Sequence, residues 1–478
     1  MPLAVGGYFF LNGKGKYRLA QAFIIGMSLW FYSYANLPLL FLILGSLCGN
    51  YLCSFCMEKI GKRKLFGILG VAFNLGLLFY FKYYDFFISN MNALLKQSWA
   101  LKHIVLPMGI SFYSFQQISF IVDRMWGKAE HYHVLDYAAF VTYFPQLVAG
   151  PIVQHNDLVP QFQDRSRKKF CWVSFSKGIK LFVFGLSKKV LIADILALAV
   201  DYGFGNIDRL DSVAAAFVAL SYTLQLYFDF SGYSDMAIGL GWMMNIDLPM
   251  NFDTPFRSHT VAEFWRRWHI TLNRFFTTYV YIPLGGSRKG ELRTIGNLFL
   301  IFLLSGLWHG ANWTFVLWGV CHGIGVVFDH LFKKYGKVRE PGRLQGGLQT
   351  LRTFIIVVLL YTVFRSDSIA QAGQFFERLT SFTWTGALAN VAVAMDNAVI
   401  YIPLTIVKRI NAGWFEATYL VYYGIMLFLA LYLSFGKSAY RRSENGIRSR
   451  IEASGLAILF AACVISLSKV VVFLYSNL

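Results

Sequence analysis

Residues 295–328 read IGNLFLIFLLSGLWHGANWTFVLWGVCHGIGVVF, two apolar runs joined at the turn 310–312. Basic clusters lie on both sides of the pair, at Arg288–Arg293 and at Lys333–Arg352. Because Lys and Arg accumulate in cytoplasmic loops, both clusters are expected on one face of a membrane, with the two runs forming a hairpin between them. His309 follows Arg293 by 16 residues. This is about 24 Å of helix, which places His309 deep in the bilayer or near its far side.

The composition fits a protein whose surface is covered by membrane lipid. Of 478 residues, 56% are hydrophobic and 14% are charged, whereas about 25% are charged in an ordinary soluble domain. Further segments approach the roughly 20 apolar residues that span a bilayer: Leu19–Tyr34, Leu65–Tyr83, Ala214–Phe228, Thr353–Phe364, Tyr419–Phe435 and Ala453–Phe473. The segment before Leu19 is short and polar, without an apolar core. Leu19–Tyr34 is therefore expected to direct membrane insertion itself.

The organisation predicted from these segments is one integral membrane domain over residues 1–478. Residues 1–100 supply N-terminal spans, residues 104–330 form a core, and residues 331–478 supply C-terminal spans. Within residues 101–165, the proline-rich runs Leu106–Gly109 and Phe144–Pro151 predict broken helices or re-entrant turns, since proline removes a backbone donor.

The net charge of +19 is explained by topology rather than by a nucleic-acid partner. The basic residues cluster in short loops, such as Lys59–Lys64 and Arg441–Arg450, where they satisfy the positive-inside rule and meet anionic headgroups. Cys53 and Cys56 form a C-x-x-C pair in an apolar segment, and no second pair or nearby histidine completes a site. No metal site is predicted.

Two carboxylates, Asp229 and Asp235, interrupt the apolar sequence between Tyr227 and Gly239. Charges in a span are costly unless they are paired or hydrated. Two interpretations stay open. The carboxylates contribute to a substrate site, or they have a structural role, either bonding the freed backbone of a kinked helix or pairing with nearby arginines.

Two further polar clusters contain histidines. Glu263–Arg274 has the charges and aromatics of an amphipathic interfacial helix, with His269 on it. Ser305–Trp313 places His309 beside Trp308 and Asn312, flanked by small residues. An imidazole can accept a proton from an attacking hydroxyl and return it to a leaving group, but a packing hydrogen bond also explains a histidine in a span. These clusters alone fit an acyltransferase or a proton-coupled transporter.

An ordered set of motifs carries a family resemblance. The motifs are Phe144–Pro151, Tyr227–Gly239, Asn251–Ser258, Phe264–His269, Tyr281–Arg288 and Leu307–Trp313. Together they resemble the membrane-bound O-acyltransferase (MBOAT) family, in particular its bacterial polysaccharide O-acetylation branch. The resemblance spans about residues 104 to 330. One departure is the short segment before Leu19, where relatives begin with an apolar helix, so the helix count and the start of the chain are open.

The resemblance implies an all-α polytopic fold of the MBOAT type, with roughly 10–13 transmembrane or re-entrant helices around a central funnel or tunnel. His309 matches the family's catalytic histidine and is expected to act as general base. His269 matches a second position that carries His or Asn, and is expected to position the acceptor or to stabilise the oxyanion. Substrate contacts are expected from Trp308, Asn312, Asp229, Asp235, Arg266 and Arg267, the two arginines and Arg288 contacting donor phosphates.

The resemblance also implies the reaction and its setting. A cytoplasmic donor, acetyl-CoA, gives an acetyl group that crosses the cytoplasmic (inner) membrane to an extracytoplasmic cell-envelope polysaccharide. No cofactor is held permanently, and a secreted or membrane-anchored polysaccharide acetyltransferase is the expected partner. Two alternatives are kept. One is acyl transfer to lipid, or of D-alanine towards teichoic acid. The other is a transporter or polymer-export protein without chemistry.

Overall fold

The structure is a computed structural model, and it describes residues 1–34, 36–336, 342–467 and 474. Helices and loops account for all of these residues, with no strand among them. Within the described ranges, seven helical segments are long and apolar enough to cross a membrane: Pro38–Lys59, Arg63–Leu95, Ser212–Met243, Glu291–His309, Trp313–Tyr335, Arg343–Arg365 and Phe415–Ser434. The predicted all-α polytopic fold is confirmed.

The N-terminal helices are α1 (Pro2–Gly13), α2 (Tyr17–Ser33), α3 (Pro38–Lys59), α4 (Arg63–Leu78) and α5 (Tyr84–Leu95). The description of the segment before Leu19 as polar was wrong. Ala4, Val5 and Tyr8 share one face of α1 and are buried, because α1 packs closely on α2. A π-helical segment, Phe79–Tyr83, joins α4 to α5 without interrupting the helix.

The middle helices are α6 (Ile110–Met125), α7 (Val134–Thr142), α8 (Phe144–Leu147), α9 (His155–Gln163), α10 (Trp172–Lys188), α11 (Asp194–Gly205) and α12 (Ser212–Met243). The broken helices predicted for residues 101–165 are confirmed, since α8 is followed by a non-helical stretch over residues 148–154. The packing of α12 makes it the central helix. Its apolar segment is 78% buried, against 22–44% for the other six membrane-spanning candidates.

Close glycine contacts bring α10 onto α12. Gly178 faces Gly239, and Gly185 faces Gly232, seven residues later in α10 and seven residues earlier in α12. A Cβ atom added at Gly178 would lie 2.5 Å from the carbonyl oxygen of Gly239, so no larger residue fits without separating the helices. This approach brings the basic end of α10 beside the acidic stretch of α12.

The C-terminal helices are α13 (Val261–Arg267), α14 (Ile270–Phe276), α15 (Glu291–His309), α16 (Trp313–Tyr335), α17 (Arg343–Arg365), α18 (Ile369–Thr380), α19 (Leu388–Val393), α20 (Ala398–Ile410), α21 (Phe415–Ser434), α22 (Ala439–Ser443) and α23 (Arg450–Ser466). Of the predicted segment Ala453–Phe473, the first part is the end of α23 and residues 468–473 lie outside the described residues. Residues 337–341 of the basic loop Lys333–Arg352 also lie outside them.

The predicted hairpin is confirmed, and α15 and α16 cross at two glycines. A Cβ atom at Gly306 would lie 2.3 Å from the carbonyl oxygen of Phe315, and one at Gly319 would lie 2.4 Å from that of Phe302. The small residues before His309 are therefore needed for contact between two helix backbones, as at other membrane helix interfaces. The turn at residues 310–312 leaves His309 as the last residue of α15.

Candidate active site

His309 lies inside an aromatic enclosure at the end of α15. Its side chain is almost fully buried. The imidazole centroid is 5.0 Å from the ring of Trp308, 5.1 Å from Trp318 and 5.3 Å from Phe364. The ring of His269 is 6.5 Å away between centroids. The structure thus brings together the two histidines that the sequence singled out.

The prediction of one continuous helix over Glu263–Arg274 was wrong. The helix α13 ends at Arg267, Trp268 is extended, and α14 begins at Ile270. His269 between them has φ 46° and ψ 51°, a left-handed conformation that is uncommon for residues with a side chain, although histidine and asparagine adopt it more often. The break turns His269 into the interior, where it is fully buried, instead of leaving it on a surface helix.

Asn251 holds this break in place. Its backbone carbonyl accepts a hydrogen bond from the Ile270 N–H at 3.0 Å. Its side-chain oxygen accepts from the Thr271 N–H and hydroxyl, at 3.3 and 2.9 Å, and lies 3.1 Å from Nδ1 of His269. The Thr271 hydroxyl in turn accepts from the Ile152 N–H at 2.9 Å. The residue that follows the motif Phe144–Pro151 is therefore bonded, through Thr271, to the segment that carries His269.

These bonds determine which nitrogen of His269 carries the proton. The backbone N–H of Thr271 can only donate, so the Asn251 atom that it contacts is the side-chain amide oxygen. An oxygen accepts only, and Nδ1 of His269 must therefore be the N–H. The neutral imidazole then presents Nε2 as a hydrogen-bond acceptor.

His322 has the opposite tautomer. The indole N–H of Trp265 donates to its Nδ1 at 3.1 Å, so Nε2 carries the hydrogen in the neutral ring. His322 is fully buried, and Nε2 has no hydrogen-bond partner among the described residues. Within the same part of the chain, the indole nitrogens of Trp308 and Trp318 also lack partners. Buried donors without partners call for a functional explanation or a bound water.

The carbonyls at the end of α15 are bonded by side chains from the π-helical segment Phe79–Tyr83. The ammonium of Lys82 donates to the carbonyls of Trp308 at 2.5 Å and His309 at 3.2 Å. The hydroxyl of Tyr83 donates to the Leu307 carbonyl at 2.8 Å. Lys82 and Tyr83 were not predicted from the sequence. The signal was a lysine within an apolar run, which the prediction of a simple span over Leu65–Tyr83 passed over.

Asp229 and Asp235 form ion pairs with the end of α10. Asp235 accepts from Lys188 at 2.5 Å, and Asp229 pairs with Lys189 at 2.6 Å. Of the two interpretations kept open, these contacts favour the structural one. The pairing partners are lysines rather than the arginines expected, and α12 runs through both positions without a break.

The remaining predicted substrate contacts lie in different settings. Asn312 caps α16 by accepting from the Thr314 N–H, and its amide donates to the Asp367 carbonyl. Arg267 is held by Glu263, 2.9 Å away on the preceding turn. Arg266 is exposed and makes no side-chain hydrogen bond or ion pair with the described residues. It is therefore available to an anionic ligand, whereas Asn312 and Arg267 already have structural partners.

Nothing in the described ranges gathers three or more His, Cys, Asp or Glu side chains into a possible metal site. An imidazole pair can transfer protons and make hydrogen bonds. A tunnel leading to the pair stays a prediction.

Comparison with known proteins identifies the family. The chain is 38% identical to the peptidoglycan O-acetyltransferase of Helicobacter pylori over 405 residues, covering 78% of this chain and 76% of that protein. The chain belongs to the membrane-bound O-acyltransferase family. The family's model, described as MBOAT, membrane-bound O-acyltransferase family, matches residues 127–335, a range that includes both His269 and His309.

Other relatives agree with this assignment. The chain is 40% identical over 394 residues to the probable alginate O-acetylase AlgI of Pseudomonas aeruginosa, covering 80% of this chain and 74% of that one. It is also 27% identical over 258 residues to the teichoic acid D-alanyltransferase of Streptococcus thermophilus, covering 51% and 61%. As a member of this family, the chain is a multi-pass membrane enzyme of the O-acyltransferase class.

Proposed function

We propose that this MBOAT protein takes an acetyl group from acetyl-CoA in the cytoplasm and delivers it across the cytoplasmic membrane for O-acetylation of a cell-envelope polysaccharide. The observation that carries the proposal is the pairing of two buried imidazoles, His309 and His269, at 6.5 Å between centroids. His309 lies at the end of α15, His269 lies between α13 and α14, and both side chains are buried. The relatives act on peptidoglycan and alginate by name, which supports a polysaccharide as the final acceptor.

His309 acts as the general base in this proposal. It removes the proton from the acceptor hydroxyl, whose oxygen attacks the thioester carbonyl carbon. The tetrahedral intermediate then collapses, the carbon–sulfur bond breaks, and the departing thiolate takes the proton from His309. General base catalysis of this kind contributes about 100- to 10,000-fold in rate.

The tautomer of His269 supports one of the two roles expected for it, that of positioning the acceptor. With its proton on Nδ1 towards Asn251, its Nε2 atom accepts a hydrogen bond and is suited to hold the acceptor hydroxyl. A neutral ring in this state cannot donate to an oxyanion. The buried N–H groups of Trp308, Trp318 and His322, which lack partners among the described residues, are the better donors to the developing negative charge.

Binding of the acetyl-CoA donor is proposed to depend on positively charged side chains. Arg266 lies exposed on α13 without a side-chain partner in the described chain, and Arg288 lies exposed in the basic loop before α15. Guanidinium groups bind phosphate with two parallel hydrogen bonds. Both arginines are therefore proposed to contact the phosphates of coenzyme A. A secreted or membrane-anchored acetyltransferase is proposed to receive the acetyl group on the far side.

Purified protein in lipid nanodiscs tests the reaction class and the donor together. It is incubated with radiolabelled acetyl-CoA and a hydroxyl acceptor such as a peptidoglycan or alginate oligosaccharide, and free thiol and labelled product are measured. The proposal expects thiol release that depends on the protein. Turnover that occurs only with a D-alanyl carrier protein would show that the protein transfers D-alanine instead. Substrate flux without thioester cleavage would show that it is a transporter.

A further inference from the structure

We propose that Lys82 is a positioning residue that fixes the catalytic histidine, an inference that rests on the proposed function of His309. Lys82 is 227 residues away from His309 in sequence and lies outside the range that matches the family model. Its role is to hold the last turn of α15 so that the imidazole of His309 faces His269.

The contacts that support this role converge on one amine. The Lys82 ammonium donates to the carbonyl of Trp308 at 2.5 Å, to that of His309 at 3.2 Å and to the hydroxyl of Ser111 at 3.2 Å. It also lies 5.7 Å from the centroid of the Trp308 ring. One ammonium group therefore links α15 to α6. It bonds Trp308 and His309 at the end of α15, and Ser111 on α6.

A helix end at this depth needs such a partner. The last four carbonyls of any α-helix have no partner within the helix, and a carbonyl left unbonded away from water is destabilising. The helix ends at His309, because Gly310 has an extended backbone and cannot continue it. A lysine at a helix C-terminus bonds the free carbonyls and also interacts favourably with the helix dipole.

The segment that supplies Lys82 is itself unusual. Phe79–Tyr83 is a single π-helical turn within the span Arg63–Leu95, and π-helical turns occur frequently at functional sites. The same turn supplies Tyr83, whose hydroxyl bonds the Leu307 carbonyl. Consecutive side chains of one π turn therefore bond three consecutive carbonyls, those of residues 307, 308 and 309. The role of the π turn is therefore to hold the end of α15 against the N-terminal helices.

The test compares Lys82→Met, Lys82→Gln and the matched control Lys64→Met in the nanodisc thiol-release assay. Lys64 is an exposed lysine at the start of α4, at the other end of the same span. A small displacement of a catalytic group is enough to cost about 100-fold in rate. We therefore expect Lys82→Met to lower kcat at least about tenfold, with the KM for acetyl-CoA and the insertion level close to wild type. Lys64→Met should leave kcat unchanged.

The outcomes distinguish the positioning role of Lys82 from the catalytic role of His309. Wild-type kcat in a stably inserted Lys82→Met protein overturns the positioning role while leaving the function of His309 intact. If Lys82→Met does not insert, the Gln variant decides, since its shorter, neutral side chain has two donor hydrogens and cannot bond all three acceptors of Lys82. We expect a lowered kcat at unchanged KM for it, and wild-type kcat would overturn the inference. Thiol release by the wild type that does not need His309 would instead overturn the proposed function.

Discussion

His269 and His309 lie with their rings 6.5 Å apart between centroids, although 40 residues separate them in sequence. Two unrelated backbone features produce this contact. One is the left-handed break between α13 and α14, and the other is the end of α15 at a tight helix hairpin. Each feature has its own supporting residues, so the two can be disturbed separately.

Asn251 is expected to control activity through the orientation of His269. Asn251→Ala removes the acceptor for Nδ1 of His269 and for the Thr271 N–H and hydroxyl. Loss of the group that orients an imidazole costs about 10- to 100-fold where that imidazole binds a metal, and orientation is needed here as well. We expect acetyl-transfer kcat to fall at least about tenfold in protein that still inserts. Normal kcat in the Asn251→Ala variant would show that the tautomer of His269 is irrelevant.

His269 should tolerate asparagine better than a β-branched residue. Its φ of 46° is accessible to asparagine, whereas valine in the left-handed region costs roughly 1–2 kcal/mol more. His269→Asn is therefore expected to keep the thermal stability of the wild type with reduced turnover, and His269→Val to lose stability. The comparison is made by thermal unfolding in detergent. Equal melting temperatures for the two variants would contradict a strained backbone at this position.

The hairpin that carries His309 should be sensitive to a single methyl group. Gly306→Ala places a Cβ atom 2.3 Å from the Phe315 carbonyl oxygen, and overpacking of this kind costs about 1–3 kcal/mol. Gly296→Ala in the same helix meets no atom within 4 Å and should be neutral or slightly stabilising. We expect Gly306→Ala alone to lower both the melting temperature and turnover. An equal response of the two variants would argue against close α15–α16 contact.

The ion pair of Lys188 with Asp235 is expected to be structural. Both side chains are mostly buried, so removing one partner should cost about 3–5 kcal/mol, whereas replacing both by apolar residues is often nearly neutral. We expect Lys188→Met and Asp235→Leu to destabilise singly, and the double variant to recover stability and turnover. A double variant that is stable but inactive would instead return Asp235 to the substrate site.

The sequence alone was sufficient for the membrane fold and for the hairpin around His309. Long apolar runs and basic loops have few alternative structures, because an unpaired backbone is too costly in lipid. The pairing of His309 with His269 was expected only from the ordered family motifs. From composition and periodicity, His309 could equally have been a packing residue, since both interpretations require the same apolar neighbours.

Local breaks and long-range bonds were beyond reach from the sequence. The charged and aromatic residues of Glu263–Arg274 have helical spacing, yet the bonds from Asn251 to Ile270 and Thr271 interrupt the helix. The same limitation hid Lys82, whose partners are carbonyls more than 220 residues away. Every residue has a backbone carbonyl, so the sequence does not show which carbonyls need a partner. A lysine that bonds them is therefore seen in the sequence only as a single charge within a span.

The central claim is that His309 is the base for acyl transfer, and one measurement tests it directly. Acetyl-CoA cleavage and acceptor labelling are followed with wild type, His309→Ala and His330→Ala, all at equal amounts of inserted protein. His330 lies on α16 of the same hairpin but bonds Glu291 near the loop, which makes it a matched control. We predict that His309→Ala lowers kcat about 100-fold or more, and that His330→Ala retains wild-type kcat. Full thiol release and acceptor labelling by a stably inserted His309→Ala protein would contradict the account.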